Sequence, residues 1–421
     1  MRKYYRPSPR SKLYTNSGMY KSFIKSFFQN KNSKASLDYK FTKTISAFFN
    51  VDSKSILPCS MARTGIYLAL DTIISGDRNE VILSPYTISD VVNMVLCAGG
   101  TPIFCDTDRN SCNIDTSKIK DLITPKTAAV MVTHFYGLAS NIKSAKTICE
   151  ENEIPLIEDA AQAFGVKVDG QYVGTFGTVG VFSFGLYKNI TSFVGGVLIV
   201  NDEKLKNSIS LKINKFNHFS SFDLIPKVIK GCITDIVTSP FLFKTFFYSF
   251  FRWATLKKKN FINNNFKIDI NPVSYNSFPE NYKKKINNFQ LNLIISQLPK
   301  VVANQKVRIK NSLRYYSGLK HLSDFMILPP IHSNGSHGYQ YFIIQVPDRD
   351  RLEEYMLEQD CDIMKSYHRN CADLHCFSEY FNECQNARAT ANSVIYLPTY
   401  PGYLNQDIER NIKAISSFFN S

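Results

Sequence analysis

Between residues 58 and 200, apolar runs typical of buried strands alternate with segments that have helical periodicity. Strands are predicted over 81–85, 102–106, 128–134, 155–159, 179–184 and 196–200. Helices are predicted over 62–74, 90–98, 116–123 and 142–152. This regular alternation predicts a doubly wound α/β domain built on a large, mostly parallel sheet with helices on both faces.

The C-terminal part of the chain has another order of elements. A long helix is predicted over 289–316, and strands over 339–346 and 393–397 are followed by helices over 349–359 and 405–419. That order predicts a smaller α+β domain. A chain of 421 residues is also longer than a single core usually allows. We therefore predict four segments, namely an N-terminal arm with short helices (1–50), the large α/β domain (51–204), an insertion (205–285) and the long helix with the smaller domain (286–421).

The insertion is unusually rich in aromatic residues. Eight of the thirteen residues from 241 to 253 are aromatic, and three lysines follow at 257–259. Aromatic rings flanked by cations suit a membrane interface, which predicts peripheral membrane contact through 222–259. The alternative is a helical insertion that packs on the body of the protein or on a second subunit.

Charge points to an anionic partner without identifying it. The formal net charge is +15, and residues 1–34 contain nine Lys and Arg and no acid, which predicts a basic arm. Nucleic acid, a phosphorylated substrate and an anionic membrane face would all be attracted. The residue patterns described below favour a substrate, and we expect no nucleic-acid partner.

The ten cysteines show neither a Cys-x-x-Cys pair nor a zinc-type cluster with histidine. Most of them lie in apolar runs, so we expect buried reduced thiols, a cytoplasmic protein and no metal site. Neither a signal peptide nor about 18 consecutive apolar residues occurs, so no spanning helix is expected. Any membrane contact would then be peripheral, at the inner face.

Candidate chemistry gathers at the ends of two predicted strands. Asp159 and Gln162 follow the first strand, and Ser183 and Lys188 follow the second. Carboxyl ends of parallel strands are where α/β proteins bind ligands. A lysine without a neighbouring acid in sequence can be desolvated and act as an amine nucleophile. For a lysine that forms a Schiff base with an aldehyde cofactor, Asp159 would face the ring nitrogen, Gln162 the ring oxygen and Ser183 the phosphate.

The N-terminus of the predicted helix at Ala62-Arg63-Thr64 offers free backbone donors to the same phosphate.

These stretches resemble the DegT/DnrJ/StrS family of sugar aminotransferases, which have fold type I and use pyridoxal 5′-phosphate. The resemblance rests on four stretches with family-like sequence, at 157–165, 173–177, 182–189 and 195–196. Weaker similarities occur at 105–108, 113–115, 134–137, 290–298 and 397–401. Together they run from about residue 58 to the C-terminus and leave out the basic arm and the aromatic insertion.

The resemblance implies a role for each matching residue. Lys188 is the internal aldimine lysine, Asp159 the partner of the pyridine nitrogen, Gln162 a contact of the ring hydroxyl and Ser183 a phosphate ligand. The backbone at Ala62 and Arg63, with the Arg63 guanidinium, is the expected phosphate site in place of the usual Ser-Gly-Thr. For Arg63, a donor carboxylate as ligand and an ion pair with Asp71 remain alternatives.

Three further implications concern the rest of the site. Ile88 stands where many relatives have an aromatic residue over the cofactor ring. The segment that supplies an asparagine and an arginine from the neighbouring subunit of a homodimer is replaced around Lys283–Lys285. Substrate contacts are expected from His134, Tyr136, Tyr367, His368 and His375, although a core role for His134 is an equal alternative.

The resulting prediction is an enzyme that transfers an amino group, from glutamate, to a keto sugar carried by a nucleotide. One alternative is a membrane-associated family member that serves as a binding or scaffold protein in polysaccharide assembly. A second alternative is dehydration or elimination. Some relatives with dehydratase activity carry histidine at the lysine position, so Lys188 argues against this one.

Overall fold

A seven-stranded sheet forms the centre of the computed structural model, which describes residues 6–27, 34–257, 271–331 and 337–420. Its strands are β1 (Ile56–Cys59), β2 (Glu80–Leu83), β3 (Thr101–Phe104), β4 (Thr127–Thr133), β5 (Leu156–Asp159), β6 (Val179–Ser183) and β7 (Gly196–Val200). Their order is β1-β7-β6-β5-β4-β2-β3. Only β7 runs against its neighbours, and all other adjacent pairs are parallel. The mostly parallel α/β fold predicted from the sequence is confirmed.

Helices pack on both faces of this sheet, and others pack on the C-terminal part of the chain. They are α1 (Ser17–Ser26), α2 (Lys34–Phe49), α3 (Ala62–Ile73), α4 (Ser89–Cys97), α5 (Ile142–Glu151), α6 (Glu203–Asn214), α7 (Ser221–Val237), α8 (Tyr248–Leu256), α9 (Asn288–Leu319), α10 (Arg349–Glu358), α11 (Gln385–Ser393) and α12 (Asn405–Asn420). Alternate residues of β7 belong to different cores, Leu198 to the one with α3 and α4 and Val197 to the one with α2 and α9. Strands buried on both faces explain the continuous apolar runs in the sequence.

A smaller antiparallel sheet lies in the C-terminal part. It contains β8 (Phe342–Gln345), β9 (Met364–Lys365) and β10 (Val394–Leu397), in the order β8-β10-β9. The two parts of the chain are joined by α9 and by a short antiparallel pairing of Tyr86–Thr87 with Arg369–Asn370. The predicted α+β elements are confirmed, while the domain boundaries stay a prediction.

The aromatic part of the insertion is helical, whereas the described residues 271–285 are mostly loop, with a 3₁₀ turn Glu280–Tyr282 and a short strand Lys284–Lys285 that pairs with Asn217–His218. The aromatic part contains α7, a short helix Pro240–Leu242, a π-helical turn Phe243–Phe247 and α8. The lysines at 258 and 259 and the first residues of the basic arm lie outside the described residues. Within the described ranges, no helix is both long and apolar enough to cross a bilayer.

A buried carboxylate ties the sheet to the loop before β6. Glu158 of β5 is fully buried and accepts hydrogen bonds of 2.7 Å from the backbone N–H groups of Gly174, Phe176 and Gly177. His134 Nδ1 accepts from the N–H of Ser140, so its Nε2 carries the proton and donates to Glu158 at 3.1 Å. Four donors thus converge on one carboxylate directly before Asp159.

We predict that Glu158→Gln destabilises the protein by about 3 kcal/mol, because an amide presents only one acceptor oxygen and leaves buried N–H groups unpaired. The measurement is urea unfolding, with the exposed Glu151→Gln as the matched control. A change below about 0.5 kcal/mol for Glu158→Gln, the usual range of surface substitutions, would contradict this role.

Candidate active site

Asp159 and Lys188 meet at the carboxyl edge of the sheet, beyond neighbouring parallel strands. Asp159 is the last residue of β5 and pairs with Val181 of β6, while Lys188 lies in the turn that follows β6. The Lys188 N–H donates to the Gly185 carbonyl at 3.1 Å, which forms that turn. The structure therefore brings together the two residues on which the sequence prediction depends.

Two glutamines of α9 hold the loop that carries Lys188. The side chain of Gln297 accepts from the N–H of Thr191 at 3.1 Å and donates to its carbonyl at 2.7 Å. Gln290 donates to the Val194 carbonyl. These glutamines appeared in the sequence only as a weak family similarity, and their role in the loop was not predicted.

Electrostatics couple Lys188 to Asp159. Burial lowers the pKa of Lys188 to about 8, the Asp159 carboxylate acts in the opposite direction, and the Arg63 guanidinium lowers this pKa further. Burial raises the pKa of Asp159, whereas the N–H of Ala161 and the charge of Lys188 lower it. Ala161 donates to Asp159 Oδ1 at 3.0 Å. The result is a carboxylate and an amine that stabilise each other's charges in a buried setting.

The N-terminus of α3 lies close to Ser183. Ser183 pairs with Gly196 across the sheet, and a Cβ at Gly196 would be only 2.8 Å from the backbone nitrogen of Ala62. Glycine is therefore required where the start of α3 approaches β7. The N-cap residue, Met61, makes no side-chain capping bond, so the first N–H groups of α3 are available to a phosphate.

Arg63 is held at this site by Asp90 and Tyr282, two partners that the sequence did not identify. Its Nη1 forms an ion pair with Asp90 at the start of α4 and donates to the Tyr282 hydroxyl at 3.0 Å. The alternative pairing with Asp71 is wrong, because Asp71 pairs with Lys212 of α6 at 2.6 Å. Tyr282 precedes the lysines at 283–285, where a departure from the family was expected, and its hydroxyl accepts from an arginine of the same chain.

Gln162 has one end of its amide fixed. Its Oε1 accepts from the N–H of Tyr136 at 3.0 Å, so Nε2 is the atom left to act as a donor. Among the described residues Nε2 has no hydrogen-bond partner. Another orphaned atom lies beside Lys188, since Asn189 Oδ1 is buried without a partner in the described structure.

A buried cluster of hydroxyl groups lies between the two sheets. Tyr86, Tyr136 and Tyr396 bond to one another or to the Ser366 hydroxyl, with Tyr86 and Tyr136 only 2.5 Å apart. His368 Nδ1 is 2.9 Å from the Tyr396 hydroxyl. Burial, and then the charge of Lys188, lower the pKa of His368 to about 3, so its imidazole is neutral at physiological pH.

The structure places the five predicted substrate contacts in different surroundings. His134 has both ring nitrogens bonded inside the protein, which is the core role that the sequence left open. Tyr136 is buried with its hydroxyl in the cluster, and its contact with a substrate stays a prediction. Of the five, His368 is electrostatically coupled to Lys188.

The other predicted contacts lie in different surroundings. Burial raises the pKa of Tyr367, the charge of Glu353 acts in the same direction, and the charge of Arg10 in the N-terminal arm acts against it. His375 is exposed at the start of a short 3₁₀ helix. Ile88 is half-buried at the N-terminus of α4.

The donor set at this edge fits pyridoxal phosphate. It offers an amine, a carboxylate, an amide donor, a hydroxyl and an uncapped helix N-terminus, and glycine at 196 leaves room for the start of α3. These are the groups that an aldehyde, a pyridine nitrogen, a phenolic oxygen and a phosphate require.

Comparison with known proteins gives the same result. A model of the DegT/DnrJ/EryC1/StrS aminotransferase family matches residues 28–221 and 256–416. The spore coat polysaccharide biosynthesis protein SpsC of Bacillus subtilis (strain 168) is 25% identical over 392 residues, 89% of this chain and 88% of that protein. GDP-perosamine synthase of Vibrio cholerae is 35% identical over 164 residues, 39% of this chain and 44% of the synthase.

Among solved structures, NtdA from Bacillus subtilis with bound cofactor PMP has a TM-score of 0.71 at 18% identity, over 96% of this chain and 83% of that chain. A likeness at this identity shows the fold. The family, enzyme class and cofactor predicted from the sequence are confirmed. The chain belongs to the DegT/DnrJ/EryC1/StrS aminotransferase family, whose members are sugar aminotransferases of fold type I that use pyridoxal phosphate.

Proposed function

We propose that this enzyme transfers an amino group from glutamate to a keto sugar carried by a nucleotide, with Lys188 as the amine that bonds to the cofactor. The observation that carries the proposal is the pairing of the half-buried Lys188 with the buried Asp159, beyond adjacent parallel strands. Relatives such as GDP-perosamine synthase also support the proposal, because that name identifies a nucleotide-linked sugar. The net charge of +15 suits a diphosphate-bearing substrate.

Each residue of the site has a distinct task in this proposal. Bound pyridoxal phosphate supplies an electrophilic aldehyde and a ring that withdraws electrons from a neighbouring carbon. Asp159 would hold the proton on the pyridine nitrogen, and Gln162 Nε2 would donate to the ring oxygen. Ser183, the first N–H groups of α3 and Arg63 would hold the phosphate.

Lys188 would also move the proton. With a pKa of about 8, its amine is neutral far more often near neutral pH than an ordinary lysine. A neutral amine beside the reacting carbon can accept a proton and return it to another position. The imidazole of His368 is neutral, so it adds no positive charge near Lys188 beyond that of Arg63.

We further propose that the enzyme acts as a cytoplasmic homodimer, as the family resemblance implies. The segment expected to complete a partner's site is partly engaged within its own subunit. Lys283 pairs with Glu280, and Lys285 donates to the Asn214 carbonyl at 3.2 Å. Lys284 pairs with Asp223 of α7 at 3.4 Å.

We predict that Lys188→Ala abolishes the visible absorbance of the bound cofactor and lowers turnover by at least about a thousandfold, because no other group replaces the amine. The exposed Lys204→Ala serves as the matched control and should retain both. A Lys188→Ala protein that keeps the absorbance band of the wild type would sink the assignment of this residue.

For the substrate, the predicted result is glutamate-dependent conversion of at least one keto sugar nucleotide in a panel that varies the sugar and the base. Formation of 2-oxoglutarate in step with the amino sugar is the measurement. Water loss from the sugar without 2-oxoglutarate would show dehydration instead. A folded, cofactor-loaded protein that converts no member of the panel would favour the scaffold alternative.

A further inference from the structure

Two segments that lie outside the family match pack against each other. The family model leaves out residues 1–27 and 222–255. In the structure, Arg6 donates to the carbonyls of Lys244 and Thr245, and Tyr20 donates to Asp235 at 2.6 Å. The rings of Phe27 and Phe222 are 5.5 Å apart. We refer to residues 6–27 and 222–257 together as the arm–insertion unit.

The arm–insertion unit rests directly on the active-site loop. Leu13, Met19 and Phe23 of the arm share one buried core with Leu224 and Val228 of α7, and the same core includes Leu186 and Phe193. Those last two residues flank Lys188 in sequence. A Cβ at Gly231 of α7 would be 3.0 Å from the Phe193 ring, so glycine allows this close approach.

The outer face of α7 is apolar and exposed. Phe222, Ile229, Ile233 and Ile236 are between 50% and 72% exposed and recur at helical spacing, opposite the buried Leu224 and Val228. A helix that is apolar on both faces normally has a partner on each.

A second exposed stripe follows on the π-helical turn and α8. Phe246, Phe250 and Trp253 are each about half exposed or more. Ile24 and Phe27 of the arm and Phe241 of the insertion are exposed as well. The unit holds half of the large apolar side chains that are exposed in the described ranges. It contains far fewer than half of all the residues in those ranges.

The charge of the unit indicates what covers these stripes. It contains ten Lys and Arg residues and two Asp residues. In a contact between two copies of the chain related by a twofold axis, the same patch would face itself and bring like charges together. An anionic lipid surface complements the cations and takes up the aromatic and aliphatic side chains.

We propose that the arm–insertion unit docks the enzyme on an anionic membrane surface, with the exposed stripes of α7 and α8 in the headgroup region. The docked unit would hold the Lys188 loop close to the bilayer through the shared core. The enzyme would then act on its substrate at a membrane surface. This proposal concerns location and does not depend on the identity of the substrate.

The test is co-sedimentation of the full-length, cofactor-loaded protein with phosphatidylcholine vesicles, with or without phosphatidylglycerol. We predict several-fold more bound protein on the anionic vesicles, with a decrease as salt is raised. A combined Ile229→Ser, Ile233→Ser and Ile236→Ser variant should lose at least about tenfold in vesicle affinity. A second variant, Phe246→Ser with Phe250→Ser and Trp253→Ser, should behave alike.

The matched control combines Leu211→Ser, Val302→Ser and Phe381→Ser, which are equally exposed but lie outside the unit. It should bind vesicles like the wild type, and unchanged thermal unfolding shows that each variant is folded. Wild-type protein that stays in the supernatant with anionic vesicles would overturn the proposal. So would a smaller oligomer of the Ile229, Ile233 and Ile236 variant in light scattering, because the stripe would then be a subunit interface.

Discussion

The pairing of the half-buried Lys188 with the buried Asp159 is the interaction on which the site depends. Burial disfavours the charge of each group, and each charge partly compensates the other. The pairing exists because β5 and β6 are adjacent and parallel, so that both strands end at one edge. Glu158, one residue earlier, fixes that edge by accepting four hydrogen bonds.

The sequence was sufficient for the features that depend on local pattern. Strand and helix periods predicted the sheet, and the residues at strand ends and the family stretches pointed to Lys188, Asp159, Gln162 and Ser183, whose roles stay a prediction. The sequence did not predict side-chain partners that depend on tertiary packing. Arg63 pairs with Asp90 and not with Asp71, because α4 and Tyr282 approach the start of α3 while α6 supplies Lys212 to Asp71. Gln290 and Gln297 contact loop residues that are about a hundred residues away in sequence, so sequence pattern did not predict these contacts either.

The arm–insertion unit adds a second layer to the family fold. Its inner side continues the packing around the Lys188 loop through Leu186 and Phe193, and its outer side exposes apolar residues among cations. No sequence pattern could join the arm to α7, because more than two hundred residues separate Tyr20 from Asp235. The same loop therefore connects the Lys188–Asp159 site with a surface built from residues that the family model does not match.

The most direct test of the central claim is the titration of Lys188 in the cofactor-free protein by competitive acetylation, with mass spectrometry of the peptide that contains it. We expect a midpoint near pH 8, and a shift to higher pH in Arg63→Gln because removal of that cation relieves its repulsion of the Lys188 ammonium group. A midpoint near the ordinary lysine value of about 10.4, unchanged by Arg63→Gln, would contradict the account.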